Sequence, residues 1–75
     1  MKLLLISTDH LDHTIIVAID GVRYEYWLRH HSYWPAQDRV KSLLRRGFDG
    51  RALVYLKEHS SRVTKLEIKA DASTS

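Results

Sequence analysis

The chain has 75 residues, of which 44% are hydrophobic and 28% charged, and its formal net charge is +3. This length excludes a second hydrophobic core, and the apolar content excludes intrinsic disorder, so we expect one small globular domain. The absence of cysteine excludes disulfides and thiolate chemistry. The apolar start at residues 2–7 is too short for a signal-peptide core or a membrane span, so we expect a cytoplasmic protein without membrane contact.

The first part of the chain predicts three strands. Residues 2–7 read as a first strand, and the apolar alternation from Thr14 to Asp20 predicts a central one. Asp20-Gly21 favours a tight two-residue turn, because both residues tolerate positive φ values. The strand after this turn should therefore run antiparallel to the central strand, which gives a three-stranded antiparallel β-meander.

Period-two alternation divides the third strand into two faces. One face carries four apolar and aromatic side chains, Val22, Tyr24, Tyr26 and Leu28. The other carries Arg23, Glu25, Trp27 and Arg29. We expect the first face to pack against the core and Trp27 to lie on the charged face.

The segment from residue 30 to Pro35 breaks the strand period. Proline suits the first turn of a helix but disfavours helix in the residue before it, so the pattern predicts a helix from Ala36 onward. Val40, Leu43 and Leu44 follow at helical spacing. Gly47 is a suitable helix stop.

A second short helix is predicted from Asp49, as its N-cap, to Glu58 or His59. The alternative for residues 52–58 is one strand of a hairpin. Residues 62–69 alternate as an extended edge strand, and an open edge leaves both a monomer and a homodimer possible. The predicted fold class is α+β, with one compact domain at residues 1–69 and a disordered tail at residues 70–75.

Two groups of polar residues contain side chains that are common in metal and catalytic sites. Asp9, His10, Asp12 and His13 are potential ligands of a divalent metal, but a polar turn between strands favours the same residue types. His30 and His31 lie next to Ser32 without a nucleophile elbow, a phosphate loop or paired carboxylates. We therefore expect no metal, no cofactor and no catalytic residue.

Aromatic residues are concentrated in the third strand and the loop that follows it. We expect Tyr24 and Tyr26 to lie in the core and Trp34 to pack the helix start against the sheet. Trp27 is the candidate anchor of an interface with a protein partner, because Trp and Arg are enriched in binding hot spots. The predicted partner-binding set is Arg23, Glu25, Trp27, Arg29 and Tyr33. The alternative is that another segment of the chain covers Trp27.

Basic residues are concentrated in the second half, where residues 39–75 carry nine basic and four acidic side chains. Arginines beside aromatic rings also form binding platforms for single-stranded nucleic acid. The alternative function is therefore RNA or DNA binding through Arg39, Lys41, Arg45, Arg46 and Arg51. The sequence leaves open whether these side chains share a face.

Residues 14–59 resemble the small bacterial and phage domains of the KTSC type, in the order of hairpin, proline loop and helix and in the segment GRALVYLK from Gly50 to Lys57. The resemblance implies a meander-plus-helix module without established catalytic chemistry and with a suspected link to RNA. The KTSC tetrad is absent, so no function tied to it is carried over. The resemblance further implies a phage or mobile-element accessory protein that binds and blocks a host nucleic-acid-handling complex, as an anti-CRISPR-like inhibitor does.

Overall fold

The computed structural model describes residues 1–66, which form an α+β fold with four strands and two helices. The elements are β1 (Leu3–Asp9), β2 (Thr14–Ile19), β3 (Val22–Leu28), α1 (Tyr33–Arg45), α2 (Asp49–His59) and β4 (Ser60–Lys65). The sheet order is β1-β2-β3-β4 with every neighbouring pair antiparallel, so the predicted meander, helices and C-terminal edge strand are confirmed. The predicted continuation of the last strand to residue 69 and the predicted tail at residues 70–75 lie outside the described residues. Neither helix is long and apolar enough to cross a membrane.

The turn between β2 and β3 has the predicted form. Asp20 and Gly21 have φ values of 50° and 89°, and Ile19 pairs with Val22 directly before and after them. The Asp20 carboxylate also accepts a hydrogen bond of 2.8 Å from the backbone N–H of Lys2. The turn therefore holds the start of the chain beside β2.

Helix α1 begins earlier than predicted, at Tyr33 rather than Ala36. A single 3₁₀ turn at His30–Ser32 leads directly into it, and Pro35 lies in the first turn, where the helix needs no N–H donor. Gly47 ends the helix with a φ of 80°. The N–H groups of Gly47 and Phe48 donate to the carbonyls of Leu44 and Leu43, a Schellman motif that confirms the predicted stop.

The helical reading of residues 52–58 is confirmed, but the predicted role of Asp49 as the N-cap is wrong. Phe48 occupies the N-cap position, and Asp49 is the first residue of α2. The Asp49 carboxylate instead accepts a hydrogen bond of 2.9 Å from the backbone N–H of Leu3. Asp49 therefore joins the helical layer to the first residue of β1.

Both helices contribute to one core on a single face of the sheet. Ile15, Val17 and Tyr26 project from this face and are almost completely buried against residues of the two helices, among them Val40 and Leu56. Tyr24 packs at the edge of the same core, so the predicted core positions of both tyrosines are confirmed. Burial raises the pKa of the Tyr26 phenol above its ordinary value of 10.0, and the nearby Tyr24 phenol raises it further.

Candidate protein-binding surface

Both described helices, α1 and α2, pack on the core side of the sheet, and we refer to the opposite side as the open face. By strand alternation it carries the side chains that point away from the core. These are Leu4, Ser7, Asp9, Thr14, Ile16, Ala18, Arg23, Glu25, Trp27, Arg62 and Thr64. The prediction that Trp27 lies on the charged face of β3 is confirmed.

Trp27 belongs to a row of paired residues that crosses all four strands and begins at Asp9 of β1. It pairs with Thr14 of β2 on one side and with Arg62 of β4 on the other. The Arg62 guanidinium is stacked over the indole ring, 4.3 Å from the ring centroid. Trp27 is consequently half-buried. The alternative that another segment of the chain covers Trp27 is thus partly correct, because Arg62 of β4 lies over its ring.

The indole N–H of Trp27 is buried and has no hydrogen-bond acceptor among the described residues. A buried donor without a partner costs about 1–3 kcal/mol. The backbone carbonyl of the same residue is satisfied, because the Ser61 hydroxyl donates to it at 3.2 Å. The backbone of Trp27 is therefore fixed by a hydrogen bond, whereas its indole N–H has no acceptor within residues 1–66.

Apolar and charged side chains also lie on the open face. Leu4 is 50% exposed and pairs with the small Ala18, so β1 is apolar at this end of the open face, whereas its Ser7 and Asp9 are polar. Glu25 pairs with Ile16, and Arg23 lies two residues away on the same strand. The open face thus combines an aromatic side chain, aliphatic side chains and charges of both signs, a composition that favours contact with another protein.

Arg29 and Tyr33, also predicted to bind the partner, lie elsewhere. The Arg29 guanidinium donates to the carbonyl of Glu58 at 3.0 Å, and its backbone N–H donates to the carbonyl of His59 at 3.1 Å. Tyr33 is fully buried, and its hydroxyl accepts a hydrogen bond from Gln37. Strand alternation ends at Leu28, so the expectation that both residues share a surface with Trp27 does not match the geometry.

Histidine and aromatic rings meet where the β1–β2 turn approaches the start of α1. His13 packs edge-to-face on His30, with ring centroids 4.7 Å apart, and on Tyr33 at 5.2 Å. The ring centroids of His10 and Trp34 lie 6.3 Å apart, and Trp34 is 58% exposed, so it packs only in part toward the β1–β2 turn. Within residues 1–66, no three His, Cys, Asp or Glu side chains are grouped in a way that could hold a metal ion.

The five basic residues of the predicted nucleic-acid site do not form one patch. Arg39 and Arg51 line a groove between the two helices, together with Tyr55. Lys41 and Arg45 instead line a separate cavity beside β1.

Three of the arginines are stacked on aromatic rings. Arg46 and Arg51 lie about equally far from the Phe48 ring, at 5.1 and 5.0 Å from its centroid. Arg39 lies 5.9 Å from the ring centroid of Tyr55. The aromatic and cationic groups are therefore concentrated around the groove and the turn between the helices.

Comparisons of the chain with protein-family models, with curated proteins and with solved structures found no match. The resemblance to KTSC-type domains therefore remains a hypothesis.

Proposed function

We propose that this chain is a non-enzymatic protein-binding module and that its partner binds on the open face, with Trp27 at the centre of the contact. The observation that carries the proposal is the half-buried indole of Trp27, whose N–H has no acceptor within residues 1–66. On the open face the long side chain of Arg62 covers this ring. Displacing a single arginine exposes a large aromatic surface. A partner can bury that surface and supply the missing acceptor.

The energetics of protein interfaces support this choice of centre. Trp and Arg are the residue types most enriched in hot spots, which lie near the middle of an interface and are surrounded by side chains that exclude water. Trp27 and Arg62 form such a pair, and Ile16, in the next row of the open face, provides apolar surface close by. Arg23 and Glu25 fit the polar rim.

The proposed partner is a protein of a host complex that handles nucleic acid, encountered in the cytoplasm. This part of the proposal depends on the resemblance to KTSC-type domains and on the accessory proteins of phages and mobile elements among which such modules occur. In this role the chain acts by covering a surface of the complex. It needs no catalytic residue.

The test compares the two tryptophans. The full chain and its Trp27→Ala and Trp34→Ala variants are immobilised and exposed to a bacterial lysate, and the captured protein is then purified and titrated against each. Trp34 is the matched control because it is exposed, 58% by area, and lies on α1. We expect Trp27→Ala to weaken binding by about 2 kcal/mol or more, about 30-fold in Kd, and Trp34→Ala to leave it unchanged.

Circular dichroism and thermal melting of both variants accompany the titration, so that loss of binding is separated from loss of fold. If a folded Trp27→Ala variant binds with unchanged affinity, the open face is not the binding surface. If Trp34→Ala abolishes binding instead, the surface lies at the start of α1.

A second candidate function is nucleic-acid binding at the turn between the helices. It is favoured by the stacking of Arg46 and Arg51 on the Phe48 ring, which is 37% exposed. An exposed ring flanked by cations offers one base a stacking surface and its phosphates two positive charges.

This candidate is tested by fluorescence anisotropy with mixed-sequence single- and double-stranded RNA and DNA at low and moderate salt. Binding at this turn should weaken steeply with salt and in the double variant Arg46→Gln with Arg51→Gln. The control is Lys41→Gln with Arg45→Gln, which removes the same charge from the separate cavity beside β1. Equal losses in both double variants would indicate attraction by net charge alone, and no binding at low salt would exclude this function.

A further inference from the structure

The outer edge of β4 carries backbone N–H and C=O groups that are not bonded to β3. Within residues 1–66, β4 pairs only with β3, and this pairing fixes which backbone groups face outward. The N–H of Leu66 donates to the carbonyl of Arg23, and antiparallel ladders alternate residue by residue. The N–H and C=O groups of Val63 and Lys65 therefore point away from β3, toward the free edge.

The other edge of the sheet is different. The ladder between β1 and β2 has a bulge between Leu5 and Ser7, which interrupts the regular row of backbone groups. Bulges are one of the means by which edge strands avoid pairing with other chains. The irregularity in β4 lies at its beginning, opposite the step from Trp27 to Leu28, and the run from Arg62 to Lys65 pairs regularly.

We propose that β4 pairs antiparallel with β4 of a second copy of this chain, with Val63 on the two-fold axis. In this register Val63 lies opposite Val63 of the other copy, Arg62 opposite Thr64, and Lys65 opposite Ser61. Each of the two cations thus faces a hydroxyl side chain, and no like charges are directly opposed. Shifting the axis to Arg62 would place two guanidinium groups opposite each other, which is destabilising.

The side chain on the axis also favours this register. Val63 is 46% exposed although it lies on the core side of the sheet, opposite Tyr26. It lines an open cavity with Leu53 and Tyr24. A second Val63 placed directly across the axis covers this apolar surface, whereas the monomer leaves it in water.

Self-pairing of β4 is independent of the proposed function of the open face, because the hydrogen bonds run along the edge of the sheet. It would join two sheets into one of eight strands, with a Trp27–Arg62 pair on each side of the axis. The test measures oligomeric state alone, so its failure and the failure of partner binding are distinguishable.

The first experiment is sedimentation of the full chain over a range of micromolar concentrations, together with cysteine cross-linking. The chain contains no cysteine, so Val63→Cys introduces a single thiol. Hydrogen-bonded antiparallel pairs have Cα atoms about 5.5 Å apart, within the disulfide range of about 4.4–6.8 Å. We expect the mass of a dimer and rapid disulfide formation at this position. The controls are Thr64→Cys, one residue from the axis, and Val54→Cys on α2, which is 55% exposed in the native protein.

Two further variants separate pairing from folding. Val63→Pro removes an outward N–H that β3 does not use, and Val63→Lys places two like charges across the axis. Both should give a folded monomer, and if the proline variant fails to fold, the lysine variant decides. The proposal is overturned if the wild-type chain is monomeric throughout, if Val63→Lys remains dimeric, or if Thr64→Cys or Val54→Cys cross-links as fast as Val63→Cys.

Discussion

Two neighbouring aromatic residues of β3, Tyr26 and Trp27, face opposite sides of the same sheet. Tyr26 is 2% exposed within the core, whereas Trp27 is half-buried beneath one arginine and its N–H has no acceptor among the described residues. The covered face carries a packed core, and the open face carries surface that remains available to another molecule. Tyr26 therefore maintains the fold, whereas Trp27 is proposed to bind the partner.

The largest expected effect comes from truncating these two residues. Tyr26→Ala leaves a cavity in the core and should lower the free energy of unfolding by about 3–5 kcal/mol. Trp27→Ala should lower it by only about 1 kcal/mol, because it removes a cation–π contact but no helix packing. Urea denaturation of both variants measures the difference. Equal losses would mean that the two faces contribute alike to stability.

The next effect concerns the link between β1 and the helical layer. Asp49→Ala leaves the Leu3 N–H without its carboxylate acceptor and should cost about 1–3 kcal/mol. Asp38→Ala is the matched control, since Asp38 is an exposed acidic residue of α1. Thermal melts of the two variants should differ clearly. A small effect of Asp49→Ala would show that core packing alone holds β1 in place.

Two glycines near the turn between the helices should respond with opposite signs. Gly47 has a positive φ of 80°, so Gly47→Ala should destabilise the fold by about 1 kcal/mol through backbone strain. Gly50 lies within α2, where alanine meets open space, so Gly50→Ala should stabilise the fold by about 0.5–1 kcal/mol. Chemical denaturation of both variants provides the measurement, and a stabilising Gly47→Ala would contradict the Schellman assignment.

The smallest expected effect is on the pH dependence of the folding stability, to which Tyr26 of the covered face contributes. Because the pKa of Tyr26 is raised in the folded state, its stabilising contribution is complete below about pH 10 and is lost as the pH rises through the folded-state value. Tyr26→Phe removes this loss. Relative to the wild type, the Phe variant should therefore become more stable on going from about pH 8 to about pH 11. A constant difference in melting temperature between the two proteins would contradict the prediction.

The sequence predicted the features that depend on local patterns. Alternation in β3 separated Tyr26 from Trp27, Asp20-Gly21 indicated the hairpin turn, and Gly47 indicated the end of α1. Each of these depends on residues close together in the chain, where side-chain period and φ preference are sufficient. The same patterns predicted the α+β class and the order of the elements.

Contacts between distant segments could not be predicted in this way. The stacking of Arg62 on Trp27 depends on the pairing of β3 with β4, which alternation within one strand does not specify. Arg29 was assigned to the wrong surface because the regular alternation stops at Leu28, and Tyr33 because the helix begins before Pro35. Asp49 resembled a helix cap in sequence, yet its carboxylate accepts from a strand that lies 46 residues away in the chain.

The position of β4 beside β3 also has a consequence for the time course of folding. The first three strands are joined by short turns and can pair early, whereas Ser61 meets Trp27 across 34 residues of chain that must first form two helices. During synthesis β4 leaves the ribosome after the other three strands and both helices, and until it docks β3 is itself an unprotected edge. In the monomer, hydrogen exchange should therefore be faster in β4 than in β2, the strand that has partners on both sides from the earliest stage.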